Sequence, residues 1–177
     1  MKIKIYHGTT ASKSKSIIGD GNFVFEERPD HWLGQGIYFF VNDYDAAVWW
    51  ANQRYKNEKK AVIEYELEID EGDLLDLDTL TGMRSFNEFM NKNKDSVTNK
   101  VNINNFSDRN IQLELRSRWL QLYYIYNDIK YSIFTFPTPL IDGYHSVVSL
   151  GLRVQERQIV VVDLSIINLN KIKIHFV

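Results

Sequence analysis

The chain begins with an alternating stretch. In residues 2–7, Ile3, Ile5 and His7 point one way and Lys2, Lys4 and Tyr6 the other, which predicts a strand ending at His7. Thr9 or Thr10 can cap a short helix over residues 11–18, stopped by Gly19 and Gly21. Residues 22–35 read as a loop carrying Pro29, His31 and Trp32. Ile37 to Val41 is a nearly continuous apolar run and predicts a buried strand. Asp43 or Asp45 then caps a helix containing Ala46, Ala47, Trp50, Ala51 and Arg54. From Ala61 to Ile69 the alternation is clean, with Ile63, Tyr65, Leu67 and Ile69 inside and Glu64, Glu66 and Glu68 wet.

Leu74, Leu75 and Leu77 continue into a buried turn or strand, and Met83 to Met90 suggests a short helix. Residues 91–110 are rich in Asn, Lys, Asp and Ser and read as a polar surface loop. Apolar residues at 111, 115, 119, 122, 123 and 126 form a helical stripe. Three further strands are expected at Tyr131–Phe136, Gln158–Leu164 and Lys171–Val177. Scattered strands with few helices indicate an α+β class, in one domain over residues 1–177 with no internal repeat.

Composition narrows the chemistry. A chain of 177 residues buries enough surface to fold without disulfides or metal. It contains no cysteine, so thiol nucleophiles, thiolate metal sites and disulfides are excluded. His31, His145 and His175 are isolated, with no paired spacing of the kind a metal site needs. The amino-terminal residues lack the apolar region of a signal peptide, and no run approaches the roughly 20 apolar residues that cross a bilayer. A cytoplasmic protein without a membrane partner is therefore expected. The net charge of −2, from 21 basic and 23 acidic residues, gives no support to non-specific attraction to nucleic acid.

Three segments carry candidate chemistry. At His7-Gly8-Thr9 an imidazole stands beside backbone groups that glycine leaves accessible to a flat ligand. The alternative is a histidine bonded at a strand end, with Gly8 serving the turn. Gly34-Gln35-Gly36 leads into a strand rather than out of one, the reverse of a dinucleotide fingerprint. Tyr38, close to these glycines, has a ring face on which a planar ligand can stack, or it is a core tyrosine in a glycine-framed strand. Glu156 stands just before an apolar strand, where a carboxylate is too close to the core to be idle unless Arg157 or water satisfies it.

Together and in this order, the segments resemble the three motifs of the ADP-ribosyltransferase superfamily, on its diphtheria-toxin and poly(ADP-ribose) polymerase side. Tyr6-His7-Gly8-Thr9 resembles the first motif. Gly36-Ile37-Tyr38-Phe39, followed by Ala46-Ala47 and by Trp49 eleven residues after the tyrosine, resembles the second. Glu156 before the Gln158–Val162 run resembles the third. The resemblance implies two packed, mainly antiparallel sheets around an NAD cleft with flanking helices.

It also implies the roles. His7, Gly8, Thr9, Gly36, Tyr38 and Trp49 would hold NAD as co-substrate, without a metal. His7 would take the adenosine ribose, Gly8 the nicotinamide amide, and Tyr38 the nicotinamide ring, closed from the other side by Trp49 or Trp50. Glu156 would stabilise the positive charge that develops on the ribose, as in glycoside cleavage. The implied activity is mono-ADP-ribosyl transfer to a macromolecular acceptor, a protein or a nucleic acid, of the kind found in bacterial or phage-encoded toxins and antiphage effectors. A toxin role would bring an antitoxin protein as partner. NAD hydrolysis, or NAD or ADP-ribose binding without catalysis, are the alternatives. Val154 stands where arginine-modifying relatives carry Gln or Glu, and the first motif begins with His rather than Arg, so arginine is disfavoured as acceptor. The acceptor loop would be 142–155, with Tyr144, His145 and Arg153.

Overall fold

The computed structural model describes residues 1–29, 31–94, 109–137 and 155–177. In chain order the elements are β1 (Lys2–Thr10), α1 (Ala11–Asp20), β2 (Ile37–Val41), α2 (Tyr44–Arg54), β3 (Lys60–Glu68), β4 (Leu74–Asp76), α3 (Leu80–Lys92), α4 (Arg109–Asn127), β5 (Tyr131–Pro137), β6 (Gln155–Val161) and β7 (Lys173–Phe176). Local signals set the helix ends. The Thr10 hydroxyl accepts from the Lys13 amide, and Gly21 closes α1 in the left-handed region at φ 75°. Asp43 accepts from the Ala46 amide to start α2, and Thr79 from the Gly82 amide to start α3.

The class is α+β, but the two expected sheets are one. Seven strands run in the order β4-β5-β6-β2-β1-β3-β7, antiparallel except for the β4–β5 pair. The reason is that β6 pairs with both β5 and β2, while β2 still pairs with β1. That last seam is short. β1 matches β3 over nine pairs, Lys2↔Glu68 to Thr10↔Lys60, but β2 over only two, Ile5↔Val41 and Tyr6↔Phe40. The first strand also runs past the expected stop at His7 to Thr10, because β3 continues to pair with it.

One face of the sheet carries Ile5, Phe39, Ile63 and Ile159 and is covered by Ile17 of α1, Phe23 and the turns around Leu164 and Leu169. The other face is divided. Tyr6, Phe40 and Val62 pack beneath Ala47 of α2. Leu75, Phe136 and Val160 pack with Leu120, Tyr123 and Tyr124 of α4 and with Leu33. The stripe expected on α4 is borne out at Leu115, Trp119 and Tyr123, which are buried; Leu120 and Tyr124 widen it, whereas Tyr126 is 71% exposed. The expected 91–110 loop shrinks at both ends, since α3 reaches Lys92 and α4 begins at Arg109. Its remaining residues 95–108, and 142–154 of the expected acceptor loop with Tyr144, His145 and Arg153, lie outside the described residues. Among the described residues, no helix is long and apolar enough to cross a membrane.

Candidate functional site at the β1–β2 seam

Backbone direction alternates along an antiparallel strand. The Lys4 carbonyl accepts from the Asn42 amide, so it faces β2. The Met1 carbonyl accepts from Ile69 and the Ala11 amide donates to Lys59, so the odd positions face β3. Tyr6 and Gly8 therefore turn their amides and carbonyls toward β2. Tyr6 meets Phe40 there. The next step of that register would set Gly8 against Tyr38, and this pair does not form. Instead the ring of His7 enters, and its Nδ1–H donates to the Tyr38 carbonyl at 2.8 Å. A carbonyl can only accept, so Nδ1 carries the hydrogen and the neutral ring keeps its lone pair on Nε2.

His7 is partly buried, and its ring packs against Phe23 and Phe39 at centroid distances of 6.1 and 5.5 Å. Burial lowers its pKa below the ordinary value; the bond to Tyr38 opposes this and Lys13 adds to it. Gly8 is buried, and its other side has a packing duty. A Cβ there would stand 2.2 Å from the Ala47 carbonyl oxygen, so only glycine lets α2 lie this close to β1. Thr9 is buried and pairs with Ala61. Gly36, at φ 152°, lies against β6, where a Cβ would meet the Val161 carbonyl oxygen at 2.5 Å.

Tyr38 is anchored through its hydroxyl. It donates to the Gly34 carbonyl at 2.8 Å and accepts from the Leu33 amide at 2.7 Å. Tyr124 donates to the Leu33 carbonyl at 2.7 Å, so two tyrosines hold the turn that precedes β2. Burial drives the Tyr38 hydroxyl far above its ordinary pKa, so it stays protonated. Its ring is partly exposed and lies 5.6 Å from that of His31. Trp49 is half-buried on α2, beside Trp50, which is 38% exposed. Trp32 packs on Phe136 at 4.9 Å.

The structure joins His7 to Tyr38 through the Tyr38 main chain, with the two rings on opposite faces of the sheet. His7 belongs to the Phe39 face; Tyr38 packs with Val160 on the face shared by Tyr6 and Phe40. Glu156 shares the Tyr38 face by strand parity but stands further along. Tyr38 is paired with Val160 and Phe40 with Gln158, and the β2–β6 ladder stops before Glu156. Four residues separate Glu156 from Val160, about 13 Å along a strand. Glu156 is 7% exposed and accepts from the Gln158 side-chain amide at 3.0 Å. Burial raises the Glu156 pKa; the Gln158 bond lowers it and Asp43 raises it. Arg157, the expected partner, reaches Asp76 and Asp78 instead at 3.3 and 3.2 Å.

Two groups were not singled out by sequence. Gln158 is buried at 4% and bonded to Glu156, and in a strand that begins at residue 155 parity puts both on one face. Arg116 is half-buried near enough to Tyr38 to act on it electrostatically, and its Nε has no partner among the described residues. Two surface depressions, of about 390 and 210 Å³, are lined by Thr10, Ser12, Lys15 and Lys59 and by Asn22, Phe23, Leu164 and Leu169; neither is lined by His7, Tyr38 or Glu156.

Comparison with known proteins adds one relative. The chain is 28% identical over 81 residues to the uncharacterized protein MJ0359 of Methanocaldococcus jannaschii, covering 44% of this chain and 38% of that protein's length. No family model matches. No solved structure matches.

Proposed function

We propose that the chain binds NAD at the seam between β1 and β2 and transfers its ADP-ribose unit to a macromolecular acceptor. The observation that supports this most is the backbone of Gly8, which faces β2 without a strand partner in the register. One N–H and one C=O presented together complement a primary carboxamide, which offers one acceptor and one donor in a plane. The nicotinamide of NAD carries that group. Neutral His7 offers a ring nitrogen to a ribose hydroxyl, and the Tyr38 ring offers an aromatic face on the other side of the seam.

The chemistry asked of the site is limited. The bond between nicotinamide nitrogen and ribose C1′ breaks, its electron pair leaves with nicotinamide, and positive charge grows on the ribose. The acceptor nucleophile then bonds to C1′ and sheds its proton. A polar group held against that charge is typically worth about 3–4 kcal/mol, or 10²–10³ in rate. The Glu156–Gln158 pair is the polar element of β6 on the required face.

Cell extract incubated with isotopically labelled NAD should yield an ADP-ribose adduct by mass spectrometry, absent with Glu156→Ala. Nicotinamide release without any labelled macromolecule would replace transfer by hydrolysis. An empty result for wild type and variant alike, with no nicotinamide released, would remove catalysis from the proposal. A second reading, NAD or ADP-ribose binding without turnover, is favoured by the roughly 13 Å offset of Glu156 from the Tyr38 row.

A further inference from the structure

We infer that Gln158 is the β6 side chain that meets the ribose of a ligand at the β1–β2 seam, and that Glu156 is a positioning residue acting through it; this rests on the NAD reading. Rows of side chains cross an antiparallel sheet at right angles to the strands. On the face of α2, one row contains Val62, Gly8, Tyr38 and Val160, taking Gly8 and Tyr38 as the pair that the register would form next. The adjacent row contains Glu64, Tyr6, Phe40 and Gln158. Glu156 is one row further, opposite Phe136 and beyond the last β2–β6 pair. Gly8 and β6 are also two strand spacings apart, about 10 Å, so between backbones Gln158 lies about 12 Å and Glu156 about 17 Å from Gly8. Gln158 is thus the nearer of the two by one row, and it stands directly across from Phe40 on the strand that borders the seam.

The side-chain bond has a direction. Gln158 Nε2 donates to Glu156 Oε2 at 3.0 Å, which fixes the amide so that its nitrogen faces the carboxylate. The Gln158 carbonyl oxygen is then left to accept from a ribose hydroxyl. A neutral amide oxygen recognises a hydroxyl well but places no formal charge near a developing cation.

Calorimetry with NAD, ADP-ribose and NAD analogues lacking the 2′- or 3′-hydroxyl of the nicotinamide ribose tests this. Wild type should bind one of the deoxy analogues about tenfold more weakly than NAD, the loss expected for one hydrogen bond. Gln158→Met, close in volume to glutamine, should bind NAD about tenfold more weakly and lose the distinction between NAD and that analogue. Glu156→Gln, which still accepts from Gln158, should stay within about threefold of wild type, whereas Glu156→Ala should behave like Gln158→Met. If wild type binds neither NAD nor ADP-ribose, the NAD reading falls and takes the inference with it. If wild type binds but Gln158→Met keeps full affinity and the preference for the hydroxyl, the inference alone is overturned. Thermal melts of each variant identify any that fail to fold, and the Glu156→Gln against Glu156→Ala contrast then carries the test.

Discussion

The two edges of β1 are treated very differently. Toward β3 the strand is zipped over nine pairs, and the carboxylate on that side, Glu64, is held by His175 at 3.0 Å and by Lys173 and Lys4 at 3.4 and 3.7 Å. Toward β2 only two pairs form, and the carboxylate on that side of the sheet, Glu156, has an amide for company. One edge spends its polar groups on the fold. The other keeps Gly8 and Gln158 in reserve at the boundary between two packed clusters. A site can be open in this sense without a gap in the hydrophobic core.

The strongest way to break the contrast is through the packing that lets β1 keep both edges. Gly8→Ala should cost more than about 3 kcal/mol, because the new methyl meets the rigid Ala47 carbonyl rather than a side chain that can move. Urea denaturation would show it, and a cost below about 1 kcal/mol would mean that α2 shifts freely on β1.

Next in size is Tyr38→Phe. It strands the buried Leu33 amide and removes a bond to Gly34, at a cost of about 2 kcal/mol. The ring remains, so NAD affinity should stay within about threefold if Tyr38 serves by stacking. A tenfold loss of affinity with unchanged stability would instead assign the hydroxyl to the ligand.

The smallest effects compare the two carboxylates by pH. Glu156 has a raised pKa in the fold, so the native state holds the proton more tightly and stability falls as pH rises through the window above 4.5. Glu156→Gln should therefore melt higher than wild type at pH 7, with the gap closing as pH falls toward 4.5. Glu64 is the opposite case. Burial acts to raise its pKa, but the His175 bond, Lys173 and Lys4 prevail and lower it. Its contribution is present above 4.5 and is lost as pH falls through the lowered value. Glu64→Gln should melt lower than wild type at pH 7. Scanning calorimetry across pH 4–8 that moved both variants the same way would abolish the distinction.

Much of the fold is legible in the residue pattern. Ile37–Val41 appears with its expected bounds, Asp43 caps α2 as its position suggests, and Gly21 ends α1. These features depend on neighbours a few residues away, where alternation, capping and left-handed backbone are local properties. The start of β6 was less legible. Gln155 and Glu156 look like loop because their neighbours are polar, yet β5 pairs with them through Pro137 and Phe136. The full width of the buried face of α4 was less legible for the same kind of reason: Leu120 and Tyr124 join Tyr123 because the sheet beneath and Leu33 pack against them.

By itself the sequence determined the element types, the α+β class and the segments rich in chemistry, because periodicity, glycine and capping residues act over one or two turns of chain. Only the tertiary structure decided that the strands form one sheet, that Gly8 faces β2 while Tyr38 and His7 point to opposite faces, and that Gln158 stands between Glu156 and the seam. Those facts follow from which strands pair and in what register. A shift of one residue in register exchanges the faces of every side chain, and no local pattern encodes that choice for residues over a hundred positions apart.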